Sequence, residues 1–207
     1  MIKALFFDIG YTLVDESAVW ERRCQEQAAT EEAAMLGLSA SDIYREIEKA
    51  SAARLPQFKT VVKKFGFSKA APYRHELETL YPDAPVVLGA FSERYSLGVI
   101  ANQAEGLCQR LRDFGIERYF TYVISSWDVG VSKPDRRIFE YALKAAKRAP
   151  GEAVMIGDRL DNDIAPAKAL GMKTVWIRKG FGGLQTPLPE EAPDYTVDSL
   201  TELLGIF

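Results

Sequence analysis

Residues 154–177 read VMIGDRLDNDIAPAKALGMKTVWI, two apolar runs separated by a helical pattern. Residues 154–156 and 174–177 are hydrophobic without alternation, as parallel strands buried on both faces are. Between them, residues 163–170 have helical spacing and stop at Gly171, a residue suited to the left-handed position after a helix. Strand, helix, strand in this order predicts parallel pairing through a right-handed crossover.

The same alternation extends outward. Residues 4–7, 97–101 and 122–124 are further short apolar runs. Residues 103–114, followed by Gly115, read as one helix, and residues 134–148 as another whose first turn opens on Pro134. Residues 195–197 and 198–204 add a last strand and a closing helix. The predicted fold class is α/β, a doubly wound parallel sheet, which gathers its ligands at the carboxyl ends of its strands.

One stretch breaks the pattern. Trp20, Cys24 and Ala28 recur every four residues, and Ile43, Ile47 and Ala50 mark one face of a second helix that Pro56 stops. No strand run is read between residues 17 and 80. The expected division is an α/β core from residues 1–14 and 84–207, with residues 15–83 as an inserted helical cap. Such a cap stands over the strand ends, where lids carry selectivity.

Composition narrows the class. In 207 residues, 47% hydrophobic and 27% charged content is that of a globular chain. A formal charge of −3 with basic and acidic residues interspersed gives no footprint for nucleic acid. Cys24 and Cys108 are far apart and accompany a single histidine, so neither a zinc cluster nor a disulfide framework is expected, in keeping with a reducing cytoplasm. The apolar run at residues 4–7 is too short for a signal peptide or a membrane span. A soluble cytoplasmic protein is expected.

Three patches carry chemistry. Asp8 ends the first apolar run in FFDIGYTLVDE, residues 6–16, where it could attack an electrophile, bind a divalent cation, or cap a turn. In Val131-Ser132-Lys133-Pro134-Asp135, the lysine before proline is held extended and could reach an anion at the helix N-terminus, or could be a solvated surface residue. In residues 157–163, GDRLDND, Asp158 follows a strand and further acids open the next helix. An oxygen-rich cluster suits magnesium; Asp161, Asn162 and Asp163 also suit helix capping. All three patches lie at predicted strand ends. Acid, cation site and lysine could therefore converge on one anion, as phosphoryl transfer needs.

At this point the chain resembles the haloacid dehalogenase (HAD) superfamily, in the branch with a helical cap after the first motif. The resemblance rests on FFDIGYTL, LGVIANQ, GVSKPDRRIFEYAL and MIGDRLDNDIAPAKALGM, which span nearly the whole length. It implies a Rossmann-like core and a magnesium-dependent phosphatase acting on a small phosphorylated metabolite. Asp8 would be the nucleophile that forms an aspartyl-phosphate, and Lys133 would orient and neutralise. Asp8, Asp158 and the backbone carbonyl of Gly10 would hold Mg2+, with Asp163 binding directly or through water.

Two positions depart from the family pattern. Gly10 stands where a second aspartate usually protonates the leaving alcohol and activates water, a role worth about 10²–10⁴-fold. Glu16, Glu21 or His75 could substitute from the cap. Ala101 stands where a serine or threonine is expected to hold the phosphoryl group, and Asn102 could compensate through its backbone N–H or its amide. Tyr11, Glu16 and Trp20 lie near the cap hinge and could set selectivity, Trp20 equally as cap core. Gly10→Asp is expected to raise turnover of alkyl phosphates more than aryl phosphates. A catalytically weak phosphate- or partner-binding relative is one alternative; a 2-haloacid dehalogenase, which uses no magnesium, is another.

Overall fold

The computed structural model describes residues 1–207. In chain order its elements are β1 (Ala4–Phe7), β2 (Val14–Asp15), α1 (Ser17–Ala28), α2 (Glu31–Met35), α3 (Ala40–Ala52), α4 (Gln57–Phe65), β3 (Thr79–Leu80), α5 (Ala84–Ser92), β4 (Ser96–Ala101) and α6 (Leu107–Asp113). There follow β5 (Tyr122–Ser125), α7 (Ser126–Val129), α8 (Arg136–Ala146), β6 (Ala153–Gly157), α9 (Ala165–Ala169), β7 (Lys173–Ile177) and β8 (Tyr195–Val197).

Six strands form one parallel sheet in the order β5-β4-β1-β6-β7-β8. From central β1 the chain first builds outward through β4 and β5, then returns to add β6, β7 and β8 on the other side. The strand order therefore reverses at β1, and the crevice beyond its carboxyl end is where such a sheet binds ligands.

Period-two alternation sends β1 side chains to both faces. Leu5 and Phe7 join one apolar cluster with Val99 and Ile156, while Ala4 and Phe6 join another with Ile138 and Met155. Phe6 and Phe7 are both fully buried, each contributing roughly 1.5–3 kcal/mol. Phe6 pairs in register with Gly98, and a Cβ on that glycine would lie 2.6 Å from the ring. No helix is long and apolar enough to cross a membrane.

Helices α1 to α4 form an insertion with its own cluster around Trp20, Cys24, Ile43, Ile47 and Phe58. The expectation of no strands in this region is corrected. The chain enters and leaves on a two-stranded antiparallel ribbon, Val14 opposite Leu80 and Asp15 opposite Thr79. Two-residue strands are too short to show a pattern in sequence. Helix α3 ends at Ala52, ahead of Pro56, because Arg54 already adopts φ 58°.

Other boundaries also shift. The helix expected over residues 103–114 is Leu107–Asp113, since Gly106 at φ 94° keeps the preceding residues out of the helix. That expected over residues 134–148 is Arg136–Ala146: Asp135 caps it, accepting from the Arg137 N–H at 2.9 Å, and left-handed Lys147 ends it. In place of one helix over residues 163–170 there is a π-helical turn, Leu160–Ile164, leading into α9. Residues 198–204 give only a 3-10 helix, Thr201–Gly205.

Candidate active site

Asp8 leaves β1 while its backbone still belongs to the sheet, its N–H donating to the Ile156 carbonyl at 2.9 Å. Its carboxylate thus emerges at the carboxyl edge. The chain then doubles back: Leu13 N–H and Val14 N–H both donate to the Ile9 carbonyl, and Tyr11 sits at φ 49°. A left-handed non-glycine residue costs on the order of 1–3 kcal/mol and needs surrounding structure to hold it. Here the Tyr11 ring lies against Gly180, where no Cβ would fit.

Lys133 comes from the loop before α8, and Asn102 fixes its backbone. The Lys133 N–H donates to Asn102 Oδ1 at 2.7 Å, and Asn102 Nδ2 donates to the Lys133 carbonyl at 2.9 Å. The Asn102 side-chain amide is therefore engaged in positioning the lysine, which leaves the backbone N–H as the group by which residue 102 could stand in for a phosphate-binding hydroxyl. Ala101 is fully buried in the core cluster beneath, while Asn102 and Gln103 line the cavity.

The Lys133 ammonium donates to Asp8 Oδ1 and to Asp163 Oδ1, both at 2.6 Å. Burial alone would favour the neutral amine, but the Asp163 and Asp8 carboxylates more than reverse it and hold the proton on. Asp163 Oδ2 also accepts from the Arg159 N–H at 3.0 Å, so this acid does cap the turn it sits on. It can reach inward because residue 157 is glycine: a Cβ there would lie 2.5 Å from Asp163 Cγ.

Asp158 completes the group. Its backbone carbonyl accepts from Trp176 Nε1 at 2.7 Å, whereas its carboxylate is buried and receives no hydrogen bond from the protein. Burial raises its pKa well above the usual range, with Asp163 and Asp8 adding repulsion. Carboxylate oxygens of Asp8, Asp158 and Asp163 all lie within 4.8 Å of one another. Ionised, these three acids against one ammonium leave two negative charges, which one divalent cation cancels. The all-oxygen donor set and the unpartnered Asp158 carboxylate fit magnesium.

A cavity of about 130 Å³ opens over these groups, lined also by Glu16, Trp20, Gln57, Arg159 and Phe181. Of the three acid–base substitutes expected from the cap, Glu16 alone reaches it. Glu21 is exposed beside Gln25 and Arg45, and the exposed His75 faces Glu78 at 3.1 Å. Trp20 is both core and lining: it packs on Phe58 and Phe181 while its Nε1 donates to Glu16 Oε2 at 3.0 Å. Burial pushes the Glu16 carboxyl up to about 7 against the hydrogen bonds of Trp20 and Tyr73. Gln57 and Phe181 carry no motif, and their approach to the site follows only from the packing of the insertion and the loop after β7, whereas Gln103 closes the LGVIANQ stretch after β4.

A family model described as haloacid dehalogenase-like hydrolase matches residues 5–177. The chain belongs to this hydrolase family. Among curated relatives, a glyceraldehyde 3-phosphate phosphatase of Methanopyrus kandleri is 31% identical, the match covering 100% of this chain and 97% of the relative. A phosphoserine phosphatase of Thermus thermophilus is 36% identical over 60% of this chain and 49% of its own length. Among solved structures, a HAD phosphatase from Thermococcus onnurineus superposes with TM-score 0.70 at 27% identity, covering 99% of this chain and 97% of that one. A 2-haloacid dehalogenase from Pseudomonas syringae shares the fold at TM-score 0.64 and 24% identity, over 100% and 98% of the two chains.

Proposed function

We propose that the chain is a magnesium-dependent phosphatase that hydrolyses small phosphorylated metabolites through a phosphorylated Asp8. The observation that carries the reading is the convergence of Asp8, Asp158, Asp163 and Lys133 at the strand-order reversal. Phosphatases among the relatives support it. The fold does not separate phosphatases from dehalogenases, but a cluster of three acids suits a divalent cation, which the dehalogenase reading does not use.

Bound magnesium would be held by the Asp8, Asp158 and Asp163 carboxylates, with the Gly10 carbonyl as a further oxygen, and would neutralise charge on the phosphoryl group. The chain's own groups do the rest. The Asp8 oxygen not held by Lys133 attacks phosphorus, and the bond to the leaving oxygen breaks. Lys133 offsets charge developing on the phosphoryl oxygens and keeps the nucleophile oriented. Water then attacks phosphorus, releasing phosphate and restoring the Asp8 carboxylate.

The cavity also constrains the leaving group. Its two cations are engaged, Lys133 by Asp8 and Asp163, and Arg159 by Asp161 at 2.9 Å and 2.5 Å. Gln57 and Gln103 offer neutral polar contacts. A small neutral leaving group, hydroxylated or carbonyl-bearing, fits better than one with a second anionic centre. Purified protein should release phosphate from small phosphomonoesters only with magnesium, and Asp8→Asn should abolish release. Metal-independent hydrolysis, or full activity in Asp8→Asn, would overturn the assignment.

A further inference from the structure

Residue 10 is glycine, yet the space its side chain would occupy is filled. A Cβ built on Gly10 would lie 2.7 Å from Glu16 Cδ, 3.2 Å from Glu16 Oε2, and closer still to Oε1. Glu16 gets there because the intervening chain is folded tightly. Gly10 bridges to Val14, the Tyr11 N–H donates to the Val14 carbonyl at 2.7 Å, and Asp15 closes the ribbon with Thr79. The next residue is thereby returned over residue 10. The carboxyl is held there by Trp20 Nε1 on Oε2, and the indole is itself wedged between Phe58, Tyr73 and Phe181.

We propose that Glu16 is a catalytic residue, the proton donor and acceptor of the hydrolysis, presenting from the hinge of the helical insertion the carboxyl that residue 10 lacks. The proposal rests on the phosphatase reading above. In the first half-reaction the Asp8–phosphorus bond forms, the phosphorus–oxygen bond to the leaving group breaks, and the Glu16 proton passes to the departing oxygen. In the second, the Glu16 carboxylate takes a proton from water as that water's oxygen bonds to phosphorus and the Asp8–phosphorus bond breaks. Each turnover returns Asp8 ionised and Glu16 protonated.

The alternative donors fail on position. Glu21 faces outward, His75 lies in an adjoining cavity on the far side of Glu16 with its ring against Glu78, and the Glu78 carboxylate is occupied by Arg110, Tyr73 and His75. Glu16 shares the cavity with Asp8, on the side where a residue 10 side chain would stand. Gly10 is then the residue that admits Glu16. This reverses the expectation for Gly10→Asp: the new carboxyl and Glu16 cannot share the space, so the single substitution displaces one acid to install another.

The test compares alkyl and aryl phosphates, because an aryloxide leaves without a proton and an alkoxide does not. Glu16→Gln keeps an acceptor for Trp20 and should lower alkyl phosphate turnover about 10²–10⁴-fold. Release of the aryl alcohol in the first turnover should change by less than about tenfold, and phosphorylated Asp8 should accumulate after a rapid burst, since its hydrolysis also uses the base. Gly10→Asp alone should give no gain on alkyl phosphates, whereas the double variant Gly10→Asp with Glu16→Ala should recover turnover to within about tenfold of wild type.

Equal losses on both substrate classes in Glu16→Gln, or no loss on alkyl phosphates, would overturn the role of Glu16 while leaving the phosphatase reading intact. A double variant as impaired as Glu16→Ala alone would also count against it. No phosphate release by the wild-type protein from any phosphomonoester would overturn both.

Discussion

Asp158 is a largely buried carboxylate on the cavity wall with no protein donor, and its repulsion with two neighbouring acids destabilises the fold until a cation joins them. Magnesium at a hundred times its dissociation constant should stabilise the protein by about 2.7 kcal/mol, a Tm rise on the order of 5–10 °C for a chain of this size. Asp158→Asn should raise the Tm of the metal-free protein and abolish the magnesium-dependent rise. Calorimetric scans of both proteins with and without magnesium check this, and equal metal shifts in the two would count against a site at Asp158. Lys133 is the converse case, a buried cation bonded to two acids at 2.6 Å. Lys133→Ala strands both carboxylates and should cost about 3–5 kcal/mol in urea unfolding; a cost below about 1 kcal/mol would show that the ammonium does not hold the pair. These acids and this lysine are legible in sequence because each closes or follows an apolar run or a motif. The relation of Gly10 to Glu16 is not, because it depends on how tightly residues 9–15 turn, and the hold of the Asn102 side-chain amide on the Lys133 backbone shows only in the fold.

At the scale of elements, the parallel strands announce themselves because every β1 residue is buried, and burial on both faces removes the alternation that a half-exposed strand would show. Helix α8 is equally plain, with Ile138, Phe139, Ala142, Leu143 and Ala146 on one buried stripe. Helix α5 is not: its outward Val86 and Ala90 are apolar like its inward Val87, Leu88 and Phe91, so no period survives. The π-helical turn is hidden for another reason, since the acids that read as caps of an ordinary helix also bond Lys133 and Arg159, and residues 160–164 wind more widely than the capping pattern predicts. Register rests on close fit at one point in particular, the Phe6 ring over Gly98. Gly98→Ala would drive a methyl group into that ring and to 3.3 Å from the Tyr122 carbonyl. Overpacking between two strands should cost about 1–3 kcal/mol in denaturant unfolding without changing the m value. Unaltered stability would mean that the ring can move aside and that this contact does not hold the register.

For the molecule as a whole, the question is what fixes the insertion over the strand ends, because Glu16 and Trp20 reach the cavity only if it stays in place. One loop of the α/β body, that after β7, reaches across to it. Phe181, in the loop after β7, packs edge-on to Tyr11 and Trp20 with centroids 5.8 Å and 5.1 Å away, and its carbonyl accepts from Ser51 Oγ at 2.8 Å. Gln185 links the Ser51 carbonyl at 3.2 Å to the acid-bearing turn, through the Leu160 N–H at 2.8 Å and Asp161 at 2.9 Å. Helix α3, Trp20 and the acid-bearing turn are thus tied through one short loop. Phe181→Ala removes the ring that three aromatic neighbours share and should cost about 3–5 kcal/mol. Because the sheet does not contain that contact, the loss should be local: amide exchange should quicken in α1 and α3 while β1, β4 and β6 stay protected. Hydrolysis should fall as well, more for alkyl than for aryl phosphates, since the indole that holds Glu16 loses its support. Exchange that quickens uniformly across the sheet would show instead that insertion and sheet unfold as one unit, and that Phe181 is ordinary core rather than the latch between them.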